Sequence, residues 1–267
     1  MPLPPDPLPP VRERTGAPSA ARRRLLTETL LVLGVSLGAS AIWSLLSLLR
    51  KLTAPAPLSQ QTTAMNTSRA PERPWLDLAY QLADILLPLV PVALALFLLA
   101  QHFPRPRQVM GLDLARPALD ILAGLGLAAV IGLPGLALYL LARELGVNTT
   151  ISASGLPSIW WGIPVLVLAA IGNALLEEVV MVGYLFTRWA QAGWSTATII
   201  LTSALVRGSY HLYQGFGGFV GNIAMGLILG LVYARTRRVM PLVIAHTVLD
   251  IVAFVGYALV APHVSWL

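Results

Sequence analysis

The chain has 267 residues, 56% of them hydrophobic and 11% charged, where a soluble globular domain carries about 25% charged residues. That composition excludes an ordinary water-soluble globule, and the absence of cysteine excludes disulfides, thiolate metal sites, a cysteine nucleophile and cysteine-borne lipid anchors. A net charge of +6 points to nucleic acid only when it gathers on one face; here it is spread among the segments that connect apolar runs, so no nucleic-acid partner is expected.

Residues 1–24 are rich in Arg and Pro and read as a disordered cytoplasmic tail. Seven apolar segments follow, near residues 25–49, 76–101, 118–141, 159–187, 196–213, 219–234 and 240–260. They predict an all-α fold: a polytopic transmembrane bundle of seven, or eight, helices, with residues 25–141 as its amino-terminal part. With the amino terminus inside, the Lys and Arg of the connecting segments fall twelve inside and five outside. Positive charge is retained on the cytoplasmic side. The expectation is therefore a multi-pass protein of the cell membrane, amino terminus cytoplasmic and carboxyl terminus outside, surrounded by membrane lipids.

The outer segment 53–75, rich in Pro, Ser, Thr and Gln, reads as a flexible linker. The fourth apolar segment exceeds the roughly 20 residues that a bilayer core needs, so it must tilt or kink, and Pro164 and Gly172 offer places to bend. Trp160 and Trp161 are expected at the outer interface and Trp189 at the inner one.

An ionisable side chain inside hydrocarbon costs from about 2.5 kcal/mol upward, so each is a functional hypothesis. Those well inside the segments are Asp84, Glu177, Glu178, Arg207, His211, His246 and Asp250. Arg207 and His211 are four apart, as are His246 and Asp250, so each pair projects from one face of its helix. Glu177 and Glu178 are adjacent, and at about 100° per residue they cannot point along one line. One is expected to face a cavity and the other to turn toward a neighbouring helix and pair with Arg207. Helix packing alone also uses buried polar groups. Two Glu, two His, an Arg and an Asp in three of the last four segments exceed what gluing helices requires.

The run Glu177-Glu178-Val179-Val180-Met181-Val182-Gly183-Tyr184-Leu185, then Tyr210-His211, then His246-Thr247-Val248-Leu249-Asp250, resembles the CPBP family, the CAAX-protease and bacteriocin-processing membrane proteins also called Abi or type II CAAX endopeptidases. The likeness covers residues 159–260, which it marks as the catalytic core. Two positions depart from the family pattern. Its first motif reads E-E-x-x-x-R, and Val182 stands at the Arg; its second reads F-x-x-x-H, and Arg207 stands at the Phe. The two changes are expected to offset each other, a guanidinium lost from the fourth segment being supplied from the fifth.

The resemblance implies a glutamate-dependent intramembrane endopeptidase that needs no metal or other cofactor and cleaves a membrane-associated or lipidated peptide. Carried over by position, Glu177 and His211 activate the attacking water, with Glu178 beside them, while His246 and Asp250 stabilise the oxyanion. An ionised Asp250 would repel an oxyanion, so it must be protonated or hold His246 as a donor. Asn222 is an uncharged candidate for the same support. Counted along straight helices, Glu177 lies about 16 Å from the inner end and His211 about 24 Å, so an unbent bundle keeps them apart.

Three other readings compete. A zinc peptidase could use His211, His246 and Glu177, though the contiguous H-E-x-x-H pattern is absent. Intramembrane Glu, His and Asp also mark proton-coupled transporters, which carry repeats not visible here. The departures at Val182 and Arg207 suit a catalytically silent immunity or scaffold protein. Asp84 has no assigned task, and the substrate and oligomeric state are not legible in the sequence.

Overall fold

The structure, a computed structural model, describes residues 19–263. The tail expected over residues 1–24 therefore lies mostly outside the described residues; its last part, from Ser19, is already helical. Helix α1 (Ser19–Gly34) and helix α2 (Leu37–Leu52) together replace the single first span and meet at an angle of 52°. The bend sits where the Ser36 hydroxyl donates to the Val32 carbonyl at 2.6 Å, a side-chain bond that competes with the helical ladder. Gly38 makes the corner possible, because a Cβ there would stand 2.7 Å from the Leu33 carbonyl oxygen.

The second segment is helix α3 (Pro74–Leu86) and helix α4 (Val90–Ala100), joined by one tight turn at Leu87–Leu89 that contains Pro88. A four-residue helix α5 (Pro106–Val109) leads to helix α6 (Pro117–Glu144), which is largely exposed, as a lipid-facing helix should be: Leu119, Leu122, Leu133 and Leu136 all point outward. Helix α7 (Gly162–Glu177) continues through a π-helical segment (Glu178–Tyr184) into helix α8 (Leu185–Gln191). Helix α9 (Thr196–Ser209), helix α10 (Phe216–Thr236) and helix α11 (Met240–Val260) complete the bundle.

Among the described residues five helical stretches are long and apolar enough to cross a membrane, and six if the bent pair is one span. All seven predicted segments are helical; the difference in count lies in α9, whose 14 residues span about 21 Å, short of a bilayer core of about 30 Å.

The segment expected to be a flexible linker is instead built into one end of the bundle. Strand β1 (Thr62–Ala64) pairs in parallel with strand β2 (Thr150–Ser152), Thr62 opposite Thr150. The Lys51 ammonium donates to the Thr63 hydroxyl and the Tyr213 carbonyl, and Arg69 pairs with Asp84 at 2.8 Å on the surface. Asp84 thus tethers this segment to α3. At the opposite end, Arg188 of α8 binds Glu28 of α1 at 2.8 Å and the Leu98 carbonyl of α4 at 2.6 Å, while Arg238 binds Asp113 and Asp120 at 2.9 and 2.6 Å. These bonds gather the Arg-bearing helix ends on one side. Trp160 is exposed beside Trp75 at the strand end, whereas Trp161 is buried rather than interfacial.

Helices α9 and α10 approach closely through glycine: a Cβ on Gly226 would lie 2.9 Å from the Ala204 Cα. Backbone cannot yield as a side chain can. Gly226→Val should therefore cost about 1–3 kcal/mol by overpacking and lower the thermal unfolding midpoint in detergent, whereas Gly126→Val, where a Cβ meets nothing within 4 Å, should leave the midpoint near wild type.

Candidate active site

Three helices bring the buried ionisable groups together. Glu177 ends α7, and Glu178 opens the π segment, a form that appears mostly as short stretches inside α-helices and frequently at functional sites. The bend expected near Pro164 or Gly172 is not where the helix changes; α7 runs unbroken past both. The π segment is fully buried, and the Met181 carbonyl within it receives a hydrogen bond from the Ser203 hydroxyl of α9 at 3.0 Å. A seryl donor from a neighbouring helix thereby satisfies a backbone group where the α-helical ladder is interrupted.

Arg207 of α9 is 1% exposed and binds both carboxylates: Nη1 donates to Glu177 Oε2 at 3.1 Å and Nη2 to Glu178 Oε1 at 2.6 Å. The expectation that only one glutamate would pair with it is corrected. The two side chains do diverge, but the guanidinium is a planar fork wide enough to span them. A second donor, the Tyr210 hydroxyl, reaches Glu177 Oε2 at 2.7 Å. Glu178 Oε1 also faces His246 Nδ1 at 2.8 Å.

The depth discrepancy disappears because the helix below Glu177 runs on to Gln191 and because α9 stops short of His211. Measured from Gln191 and Ser195, where α8 ends and α9 is capped, Glu177 and Ser209 both lie about 21 Å along their helices. Helix α9 stops at Ser209, and the chain turns through Tyr210 and His211, which carries the imidazole back over Glu177. His211 Nε2 stands 3.8 Å from Glu177 Oε2, and its Nδ1 is 3.4 Å from the Gln214 amide nitrogen. The turn is held from outside: the Ser44 hydroxyl accepts from the Tyr213 amide at 2.7 Å, beside the Lys51 bond to the Tyr213 carbonyl.

On α11, His246 Nε2 lies 3.7 Å from Asp250 Oδ1, beyond hydrogen-bond reach. The carboxylate that holds His246 is Glu178, not Asp250. Asp250 Oδ2 instead accepts from the Asn173 amide at 3.2 Å. Asn222 is not brought into this network; its amide donates to the Gly218 carbonyl of its own helix at 2.9 Å. Tyr210 stood in the sequence only as the neighbour of His211, with no role, and Asn173 was not singled out. Asn173 carried a signal, since it is polar in an apolar segment and precedes Glu177 by one helical turn.

Exposure divides the cluster in two. The Glu178 and Arg207 side chains are 0% and 1% exposed, while those of Glu177, His211 and Asp250 are 11%, 15% and 19% exposed. A sealed ion pair thus backs a slightly exposed edge of carboxylate and imidazole, in which His211 Nε2 itself is buried without a hydrogen-bond partner. Glu177, Glu178 and His246 present ligand atoms within 4.8 Å of one another, a geometry that could suit a metal ion. This set differs from the one expected, with Glu178 in place of His211. Arg207 already lies against both carboxylates, so a divalent cation would have to share them with a guanidinium. That donor set fits a metal poorly.

Residues 159–252 match the family described as type II CAAX prenyl endopeptidase Rce1-like. The match takes in every member of the cluster and leaves out α1 to α6. Over those residues the chain is similar to the CAAX-type protease family, and its long apolar helices suit a multi-pass membrane protein. No curated protein and no solved structure matches the chain.

Removing one partner of a buried ion pair costs about 3–5 kcal/mol because the other charge is left unpaired. Arg207→Ala should therefore reduce folded yield and thermal midpoint sharply, Glu178→Gln less so. Combined, they should cost clearly less than the sum of the two; strictly additive losses would show that the two side chains do not act as a pair.

Proposed function

We propose, from the match of residues 159–252 to the CAAX-type protease family, that the protein is an intramembrane endopeptidase that hydrolyses a peptide bond of a membrane-associated or lipidated peptide. The observation that supports this reading best is the Glu177 carboxylate, anchored through one oxygen by Arg207 and Tyr210 yet not fully sealed, its side chain 11% exposed beside His211.

Two donors on Oε2 fix the rotation of the Glu177 side chain and aim its other oxygen at the slightly exposed edge. A water held by that oxygen and His211 attacks the scissile carbonyl carbon, and its proton passes to Glu177 as general base. The carbonyl oxygen becomes the oxyanion. His246, oriented by Glu178 through Nδ1 at 2.8 Å, offers its Nε2 edge to that oxyanion as the imidazolium. Collapse of the tetrahedral intermediate breaks the C–N bond, and Glu177 returns the proton to the leaving amine. Asp250, fixed by Asn173, borders the Nε2 side of His246 and limits how the ring can turn. In this scheme Glu178 and Arg207 are positioning groups, and Arg207 supplies the guanidinium that the family pattern carries at the position of Val182.

The protein sits in the cell membrane with its Arg-rich helix ends on the cytoplasmic side, as the bias of Arg toward that side supports. With α9 counted as a crossing, the termini face opposite sides. The partners are membrane lipids and the peptide substrate.

Cleavage of an isoprenylated CAAX peptide in proteoliposomes is the test. Glu177→Gln should lower the rate per folded molecule by about 10²–10⁴-fold, the usual worth of a general base. Wild-type cleavage by that variant would sink the proposal. Since Arg207 shares both carboxylates, cleavage should also survive exhaustive dialysis against a chelator; loss of activity restored by added zinc would favour a metal peptidase instead.

A further inference from the structure

A cavity of about 900 Å³ lies at the Arg-rich end, between α4, α7, α11 and the connection from α4 to α6. Its inner wall is apolar, formed by Val92 and Leu96 of α4, Leu175 of α7 and Met240 of α11. Val92 stands about 12 Å below the end of α4 at Ala100, so the wall descends well into the hydrocarbon level. Its polar lining comes from beyond the helix ends, chiefly Arg105, Arg107 and Asp113.

These three charges are not equivalent. The Asp113 carboxylate is already engaged by Arg238 at 2.9 Å and by the Ala115 amide at 3.0 Å. Burial works to raise its pKa, but those two donors outweigh it and hold the carboxyl below its ordinary value, so it remains ionised and paired. Arg105 and Arg107 are exposed and, among the described residues, form no ion pair. The cavity thus joins an apolar trough to two uncompensated guanidiniums at the level where lipid headgroups lie. Basic pockets between membrane helices are suited to anionic headgroups.

We propose that this cavity binds an anionic phospholipid, with an acyl chain along Val92, Leu96 and Leu175 and the phosphate on Arg105 and Arg107. Charge complementarity selects this occupant over a zwitterionic lipid, because the trough fits either tail but the rim rewards net negative charge. A guanidinium also matches two phosphate oxygens at once. Two of the walls belong to the helices that carry Glu177 and His246, so occupancy supports the frame of the site without touching it.

Native mass spectrometry of delipidated protein tests this without reference to proteolysis, using phosphatidylglycerol and phosphatidylcholine with identical acyl chains. At about 1 kcal/mol for each arginine, phosphatidylglycerol should be retained roughly 30-fold more tightly. The exposed pair Arg105→Gln and Arg107→Gln together should bring it down to the phosphatidylcholine level, whereas Arg105→Lys with Arg107→Lys should keep most of the preference. Leu96→Trp, which fills the trough, should weaken both lipids. Equal retention by wild type, a preference that survives the double Gln variant, or displacement by glycerol phosphate as effective as by intact lipid would overturn the proposal.

Discussion

Everything at the centre of the bundle depends on one guanidinium. Two adjacent carboxylates inside apolar helices are mutually repulsive and poorly solvated, and burying them is tolerable only with a partner of opposite charge in good geometry. Arg207 meets both at once, at 3.1 and 2.6 Å, from a different helix. That contact ties α9 to the junction of α7 and the π segment, and it divides the work: Glu178 is sealed and turned to His246, while Glu177 stays at the slightly exposed edge.

The scaffold around this contact is polar on both flanks. Toward the strand end, Lys51 is buried and engages the Thr63 hydroxyl and the Tyr213 carbonyl, so a cation from α2 secures the turn that presents His211. Toward the Arg-rich end, Tyr184, the last residue of the π segment, donates to Glu28 at 2.8 Å, and Arg188 binds the same carboxylate. The unusual helical segment is therefore clamped at both ends, by Arg207 where it begins and by the Glu28 network where it stops. Rigid supports of this kind suit a chemistry in which reacting groups must be held in place.

Much of the site could be read from residue type and spacing. Charged groups in hydrocarbon are rare enough to stand out, and spacing by four placed His246 and Asp250 on one helical face; the same reading fails for Arg207 and His211, because only Arg207 lies on α9. What spacing cannot give is where a helix stops. Because α9 ends at Ser209, His211 sits in a turn, and a count along a straight helix misplaced it. The π segment was equally hidden, since nothing in Glu178–Tyr184 forbids an ordinary α-helix; its form follows from tertiary contacts such as Ser203 with Met181. The loop over residues 53–75 looked flexible by composition, yet strand pairing and the buried Lys51 order it. Asn222 and Asp84 show the converse case: polar groups in apolar segments that serve local backbone and surface contacts rather than the cluster.

The departures from the family pattern at Val182 and Arg207 acquire a physical sense in this arrangement. What the carboxylate pair requires is a positive charge within reach, not a particular tether, and α9 lies close enough to provide it. The central claim is that the Glu177 edge activates water for peptide hydrolysis. Single-turnover cleavage of a lipidated peptide in heavy-oxygen water, followed by mass spectrometry of product and enzyme, addresses it most directly. The account predicts label in the newly formed product carboxylate and none in Glu177; label appearing in the Glu177 side chain, or an intact peptide after incubation with fully folded protein, would contradict it.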